Sequence, residues 1–231
     1  AAGKLKGPVD HDVPVLAVHG GDGKLKAVVF GYACHATVLS VYQWSGDYPG
    51  FAQAEVEAQH PGCVALFWAG CGADQNPLPR RKVELAQQYG KRLAVAVNEV
   101  LQKGLAPLGE SLDTHYQEVE LPLGELPTKQ QVQADQQSAN RFVAARAGYW
   151  AEKLEAGEKL PTVYPYPIQT WRLGSGDSHI QWVFLWGEVV VDYAVAIKSK
   201  HRGTRSWVAG YANDVMAYIP SRRVLREGGY E

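Results

Sequence analysis

Five short stretches hold the side chains that could do chemistry. In "FGYACHATVLS", residues 30–40, His35 stands where an apolar run ends. An imidazole there can bind a metal or move a proton near neutral pH. In "WSGDYPG", residues 44–50, Asp47 either caps the following helix or orients a histidine. In "FWAGCGADQNP", residues 67–77, a glycine-rich turn carries Cys71, Asp74, Gln75 and Asn76. Glycines let such a turn approach a ligand closely. Cys71 is a nucleophile only if its pKa is lowered, and otherwise a small buried residue. In "FLWGEVVVDYAVAIK", residues 184–198, Glu188 sits between a strand and a helix. It either complements the helix dipole or serves a ligand at the strand end. In "NDVMAYIPSRR", residues 213–223, Tyr218 is plain packing or a member of the same site. None of the five is specific alone, and GxGxxG, P-loop, HExxH and GxSxG signatures are absent. Residue types alone lead to a candidate site at strand ends, built from His35, Asp74, Glu188 and Tyr218.

Such a site needs strands to end side by side. "VPVLAVHG" (13–20) and "KLKAVVFGYAC" (24–34) read as strands around a "GGDGK" turn. Residues 48–60 read as a helix. "GCVALFWAG" (62–70) reads as a strand buried on both faces. Residues 80–104 place Val83, Leu85, Ala86, Leu93, Val97 and Leu101 on one face of a long amphipathic helix ending at Gly104. Residues 113–124 alternate like an exposed strand. Residues 128–157 read as one long solvated helix capped by Thr128, or as a pair broken at Gly148. A loop (157–167), a hairpin (168–188), a helix (189–201), a last strand (205–213) and a short helix or turn (221–231) follow. Strand–helix units beside hairpins predict an α/β fold of mixed β-sheets flanked by helices. No repeat or linker interrupts it, so residues 1–231 read as a single domain.

The chain has 231 residues, enough for a sizeable core. Its 23 basic and 24 acidic residues leave a net charge of −1, which gives no footprint for nucleic acid. Three cysteines without a CxxC pair give no disulfide framework, leave room for one bridge and argue against a structural zinc knuckle. No apolar run reaches the ~18 residues of a membrane span. The N-terminus "AAGKLKGPVDHD" is not a signal peptide.

Taken in order, "VLAVHGGDGKLKAVVFGYACHATVLS", "SGDYPGFAQAEVE", "FWAGCGADQNP", "FLWGEVVVDYAVAIK" and "AGYANDVMAYIPSRRVLREGGYE" resemble the neutral/alkaline, non-lysosomal ceramidase family. The bacterial ceramidase-like branch is the nearest. The resemblance covers most of the chain outside residues 128–157. It implies a zinc-dependent hydrolase that cleaves the amide of an N-acyl compound, a ceramide-like lipid, with metal-activated water. His35, Glu188 and Tyr218 then match zinc ligands, and Tyr218 also matches a stabiliser of the oxyanion. Tyr230 matches a further active-site tyrosine. Asn76 stands where the family's "GDVSPN" turn carries an essential serine. An amide there can hydrogen-bond an oxyanion but cannot act as a nucleophile. The alternatives are a zinc hydrolase of another small amide or ester, and a non-catalytic binding domain. The family's first zinc histidine belongs to an "HxHSGP"-like segment. Neither His11 nor His19 has that context, so the chain reads as a piece of a longer catalytic domain. The resemblance also implies a secreted or periplasmic protein with a lipid or small-molecule substrate. Transient contact with a membrane surface is compatible with it.

Overall fold

The computed structural model describes residues 6–229. The "GGDGK" turn closes an antiparallel hairpin of β1 (Val15–His19) and β2 (Leu25–Tyr32). β3 (Val64–Ala69) joins β2 in parallel. A parallel neighbour needs a crossover, and α1 (Asp47–Gln59) supplies it. Alternate residues of β2 face opposite sides. On one side Val28, Phe30 and Ala65 pack against Ala52 and Val56 of α1 and Leu93 and Val97 of α2 (Val83–Gln102).

On the other side Leu16, Val29 and Trp68 meet an aromatic layer of Trp171, Trp182, Phe184 and Trp207. That layer belongs to a four-stranded sheet of order β4-β5-β6-β8. Its strands are β4 (Leu112–Pro122), β5 (Val163–Ser175), β6 (Ser178–Leu185) and β8 (Arg205–Ala209). β5 and β6 form a hairpin, and β8 runs parallel to β6. Register sets Trp171 beside Trp182 and Trp182 beside Trp207. The last two rings stack 4.3 Å apart at 16°. Between β6 and β8 the chain makes β7 (Glu188–Val189) and α5 (Val191–Lys200). α5 covers the sheet's other face, where Ala194 and Ile197 pack on Val183, Leu185 and Val208. β9 (Tyr218–Ile219) pairs in parallel with β7, and a short helix, Arg222–Glu227, follows.

The layers run helix pair, sheet, sheet, helix. They make one compact unit, formed by the chain up to Tyr116 and from Ile168 onward. Gln117–Pro167 form a second. That unit holds α3 (Lys129–Gln136) and α4 (Arg141–Glu155), with Val132 and Ala147 as its buried helical residues. Thr128 caps α3 in a capping box with Gln131.

The expected α/β class with mixed sheets is the one observed. Local expectations differ in three places. The helical stretch breaks at 138–140, not at Gly148. Asn140 accepts the Phe142 N–H and starts a second helix, while Gly148 lies inside α4. Residues 163–167, read as loop, begin β5. β3 is not buried on both faces. Val64 and Leu66 are about half exposed, because the aromatic layer covers this edge strand only at Trp68. Among the described residues, no helix is long and apolar enough to cross a membrane.

Candidate functional site

β2 and β3 are parallel, as are β6 and β8, so within each pair the strands end at one edge. The turns that follow are stitched together through the backbone. Gly70 N–H donates to Tyr32 at 3.0 Å and Gly210 to Ala69 at 3.1 Å. Ala212 donates to Leu185 at 3.2 Å and Ala73 to Val189 at 3.2 Å. A Cβ on Gly72 would lie 2.8 Å from the Cys34 nitrogen. Only glycine lets that turn lie so close to the chain beside His35.

His35 sits at this junction. Its backbone N–H donates to the Gln75 carbonyl at 2.9 Å. Its Nε2 lies 2.8 Å from the Ala73 carbonyl oxygen and 3.8 Å from Glu188 Oε2. Two lone pairs repel at 2.8 Å, so Nε2 carries its hydrogen toward Ala73. Nδ1 lies 3.4 Å from the Tyr211 hydroxyl, with the two rings edge to face. The imidazole is 12% exposed and the Glu188 side chain 24%, so both are shielded but reachable.

Glu188 owes its place to the turn before it. Gly187 adopts φ +77, and a Cβ there would strike the Ala217 carbonyl at 2.8 Å. Glu188 N–H donates to that carbonyl at 2.8 Å. In the β7–β9 ladder Glu188 is the direct partner of Tyr218. Direct partners project to the same face. Tyr218 packs beside Ala73, Val190 and Val224. The structure therefore brings His35 to Glu188 and sets Tyr218 next to Glu188.

The other sequence candidates have different surroundings. Asp47 is buried. It accepts backbone N–H bonds from Val38 (3.2 Å), Leu39 (2.8 Å) and Tyr48 (2.7 Å), which anchors the loop after His35. Asp74 accepts the Val191 N–H at the start of α5 (2.9 Å) and pairs with Arg223 at 3.2 Å. It links elements rather than facing His35. Cys71 is fully buried, and burial pushes its thiol up to about 12, which removes it as a nucleophile. Burial, with the Asp47 charge, does the same to Cys34. Asn76 Oδ1 accepts from Arg80 at 2.9 Å. Asn76 lines two cavities beside the junction. One, of about 460 Å³, is walled by Tyr32, Cys34, Tyr48 and Leu93. The other, of about 510 Å³, is walled by Asp74, Gln75 and Arg223. Neither is lined by His35 or Glu188. His19 ends β1, opposite the start of β2, an eight-residue strand away from His35. Tyr230 lies outside the described residues.

Two participants were missed from sequence. Tyr211 takes a left-handed φ of +55. Its N–H donates to Gly187 at 3.0 Å while its hydroxyl meets His35, so it ties the Glu188 turn to the imidazole. A polar aromatic just after "VAG" was its only signal. Arg223 pairs with Asp74, Asp192 and Glu227. Its hydrogen bonds hold the Asp192 carboxyl below the usual carboxylate range.

No protein-family model matches the chain, and no curated protein matches it. Solved structures do, two ceramidases among them. Neutral ceramidase from Pseudomonas aeruginosa superimposes with a TM-score of 0.69 over 96% of this chain, at 18% identity. A ceramidase complexed with C2 gives 0.68 over 96%, at 17% identity. The fold is shared with ceramidases. The chain spans less than half the length of either, 43% and 44%. The sequence resemblance thus holds at the level of fold.

Zinc is the metal that this resemblance implies. Imidazole nitrogen, carboxylate and phenol oxygen are suitable donors. Two ligands of a tetrahedral zinc with ~2.1 Å bonds stand about 3.4 Å apart, near the 3.8 Å between His35 and Glu188. The Ala73 carbonyl shares that ring nitrogen and must yield it for Nε2 to coordinate. Among the described residues, no group of three or more His, Cys, Asp or Glu could hold a metal ion.

Proposed function

We propose that the chain carries part of the catalytic domain of a zinc-dependent amidohydrolase acting on an N-acyl compound of the ceramide type. The observation that carries this reading is the approach of His35 to Glu188, from opposite halves of the chain, with Tyr218 in register beside the carboxylate. The ceramidase fold supports it. His35, Glu188 and Tyr218 hold the metal. When bound, zinc acts as a Lewis acid and lowers the pKa of water toward ~7. Tyr211 orients the imidazole from the Nδ1 side. Asn76 Nδ2 donates a hydrogen bond to charge developing on the carbonyl oxygen, and Tyr218, wherever it keeps its hydroxyl hydrogen, and Tyr230 join it by resemblance. The cavity walled by Tyr32, Tyr48 and Leu93 suits an acyl chain. A secreted or periplasmic setting goes with this reading.

Asn76 in place of serine favours a second reading, the same chemistry on a different small amide or ester. Hydrolysis of a fluorogenic N-acyl-sphingosine against short-chain amides, with zinc content by mass spectrometry, tests both. Full-length wild type is expected to hold zinc and lose activity on chelation. His35→Ala and Glu188→Gln are expected to lose zinc and activity together. Activity indifferent to chelator, with zinc content unchanged by both substitutions, refutes the metal site, and no hydrolysis of either substrate class leaves a binding domain.

A further inference from the structure

Residues 6–13 belong to no helix or strand and lead into β1. They run along both cavities beside Asn76. Lys6, Gly7, Pro8 and Val9 wall the one of about 510 Å³, and His11 and Val13 wall the one of about 460 Å³. The two cavities share Tyr32, Cys34, Asn76 and Leu78, so they adjoin. Asp10, between Val9 and His11, lines neither. The Lys198 Nζ of α5 lies 2.9 and 2.7 Å from its two carboxylate oxygens and 2.7 Å from Asp12 Oδ2. An ammonium has three N–H donors, and here three acceptors meet them. A second tie comes from the Asn76 turn, where Gln75 Nε2 donates to the Pro8 carbonyl at 3.3 Å. This latch is no ordinary surface pair. The Asp10 side chain is 11% exposed and Lys198 22%, so removing one partner leaves the other shielded and unpaired. Val9 is 45% exposed, and His11 and Asp12 are exposed, so the segment buries little surface of its own. What it contributes is wall.

We propose that residues 6–13 form a strap along the two cavities, and that Lys198, by pinning it at Asp10 between them, sets how long an apolar chain the cavity beside Asn76 accepts. Lys198 lines neither cavity and acts through the strap, so it is a positioning residue. With the latch closed, His11 and Val13 share a cavity with Leu93 and Ala96 of α2, and a chain that outgrows the space meets a fixed wall. With the latch open, that wall yields. The latch is made by this chain alone, so it does not depend on what else packs around the cavities. That the apolar chain is the acyl group of an amide rests on the lipid-amide reading above; the latch itself does not.

Labelling of the full-length protein with N-ethylmaleimide, read peptide by peptide in a mass spectrometer, tests the latch. Cys34 lines both cavities, and burial, with the Asp47 charge, pushes its thiol up to about 12. Loosening the strap admits water and lets the thiolate form. Lys198→Met is expected to label Cys34 roughly tenfold faster than wild type or more. Asp12→Asn, at a side chain 68% exposed, should do so by a smaller factor. Cys63, buried before β3, should stay slow in both. If circular dichroism shows that Lys198→Met misfolds, Asp12→Asn decides. Equal Cys34 rates in wild type and the folded variants overturn the latch, and so does Cys63 accelerating in step with Cys34. Calorimetric titration with straight-chain N-methyl amides of increasing length tests the consequence. Wild-type affinity should rise roughly fourfold per methylene up to a limit and then fall. In Lys198→Met the limit should move to longer chains, with short chains bound as before. An equal loss at every length means a purely structural role and overturns the proposal, as does a wild type with no limit or no binding. A length limit without hydrolysis of any N-acyl substrate defeats the hydrolase alone, and hydrolysis without a limit defeats the strap alone.

Discussion

Asp47→Ala is the most informative single perturbation of the frame around His35. The carboxylate is 6% exposed and accepts three backbone N–H groups, from Val38, Leu39 and Tyr48. Hydrogen bonds to a charged group are worth about 1.5–3 kcal/mol each, and an orphaned buried donor costs ~1–3 kcal/mol. The Leu39 contact is only part-buried, so water can replace it. The other two bonds then set a loss of roughly 3–5 kcal/mol. Asp47 also sits at φ +50, which alanine tolerates less well by ~1 kcal/mol. The total, about 4–6 kcal/mol, is a large share of the ~5–15 kcal/mol of an ordinary domain. Asp47→Asn keeps one acceptor and the left-handed tolerance, so it should cost about half as much. Urea unfolding followed by tryptophan fluorescence gives both values. Hydrogen exchange should show the Val38 and Leu39 amides losing protection. A loss under ~1.5 kcal/mol for Asp47→Ala means that the loop is held by something else. Equal losses for both variants mean that the acceptor count is irrelevant.

Arg223 makes a pH prediction. Its hydrogen bonds depress the folded-state pKa of Asp192. A depressed carboxylate contributes stability above its unfolded pKa of ~3.9 and loses it as pH falls through the lower folded value. The gap in urea midpoint between wild type and Arg223→Met should therefore be constant near neutrality and shrink below about pH 4. A gap that stays constant into strong acid contradicts the pairing. Tyr211→Phe removes the hydroxyl at His35 Nδ1. It should cost about 1 kcal/mol of stability and shift the Nδ1 resonance in imidazole ¹⁵N spectra, with Nε2–H still held by Ala73. An unchanged Nδ1 resonance would show that the hydroxyl plays no part.

Periodicity made some of this fold legible. The repeat in residues 80–104 is α2, and the "GGDGK" turn between apolar runs is the first hairpin. The candidates His35 and Glu188 were readable because His35 stands just past an apolar run and Glu188 follows a strand through a glycine turn. The rest depends on register, which no local pattern carries. Tyr211 reaches His35 across 176 residues only because β8 lies parallel to β6 and ends at the same edge. Asp74 meets Val191 across 117 residues. Asp47 looked like a cap because its partners are backbone amides, and residue types say nothing about those. The break at 138–140 was missed because Asn140 is a stronger start signal than Gly148 is a stop.

The row of indoles across β5, β6 and β8 gives the chain a built-in optical gauge. Trp182 and Trp207 stack closely enough for their electronic transitions to couple, so the assembled sheet should show an exciton signature in circular dichroism. The indole N–H groups of Trp171 and Trp182 are buried without a hydrogen-bond partner, which favours blue-edge emission from a dry site. The stacked pair requires β6 and β8 in register, and the Glu188 and Tyr211 turns leave the ends of these two strands. The spectrum of these rings thus reports whether the edge that presents Glu188 has formed, with no ligand, label or activity needed to see it.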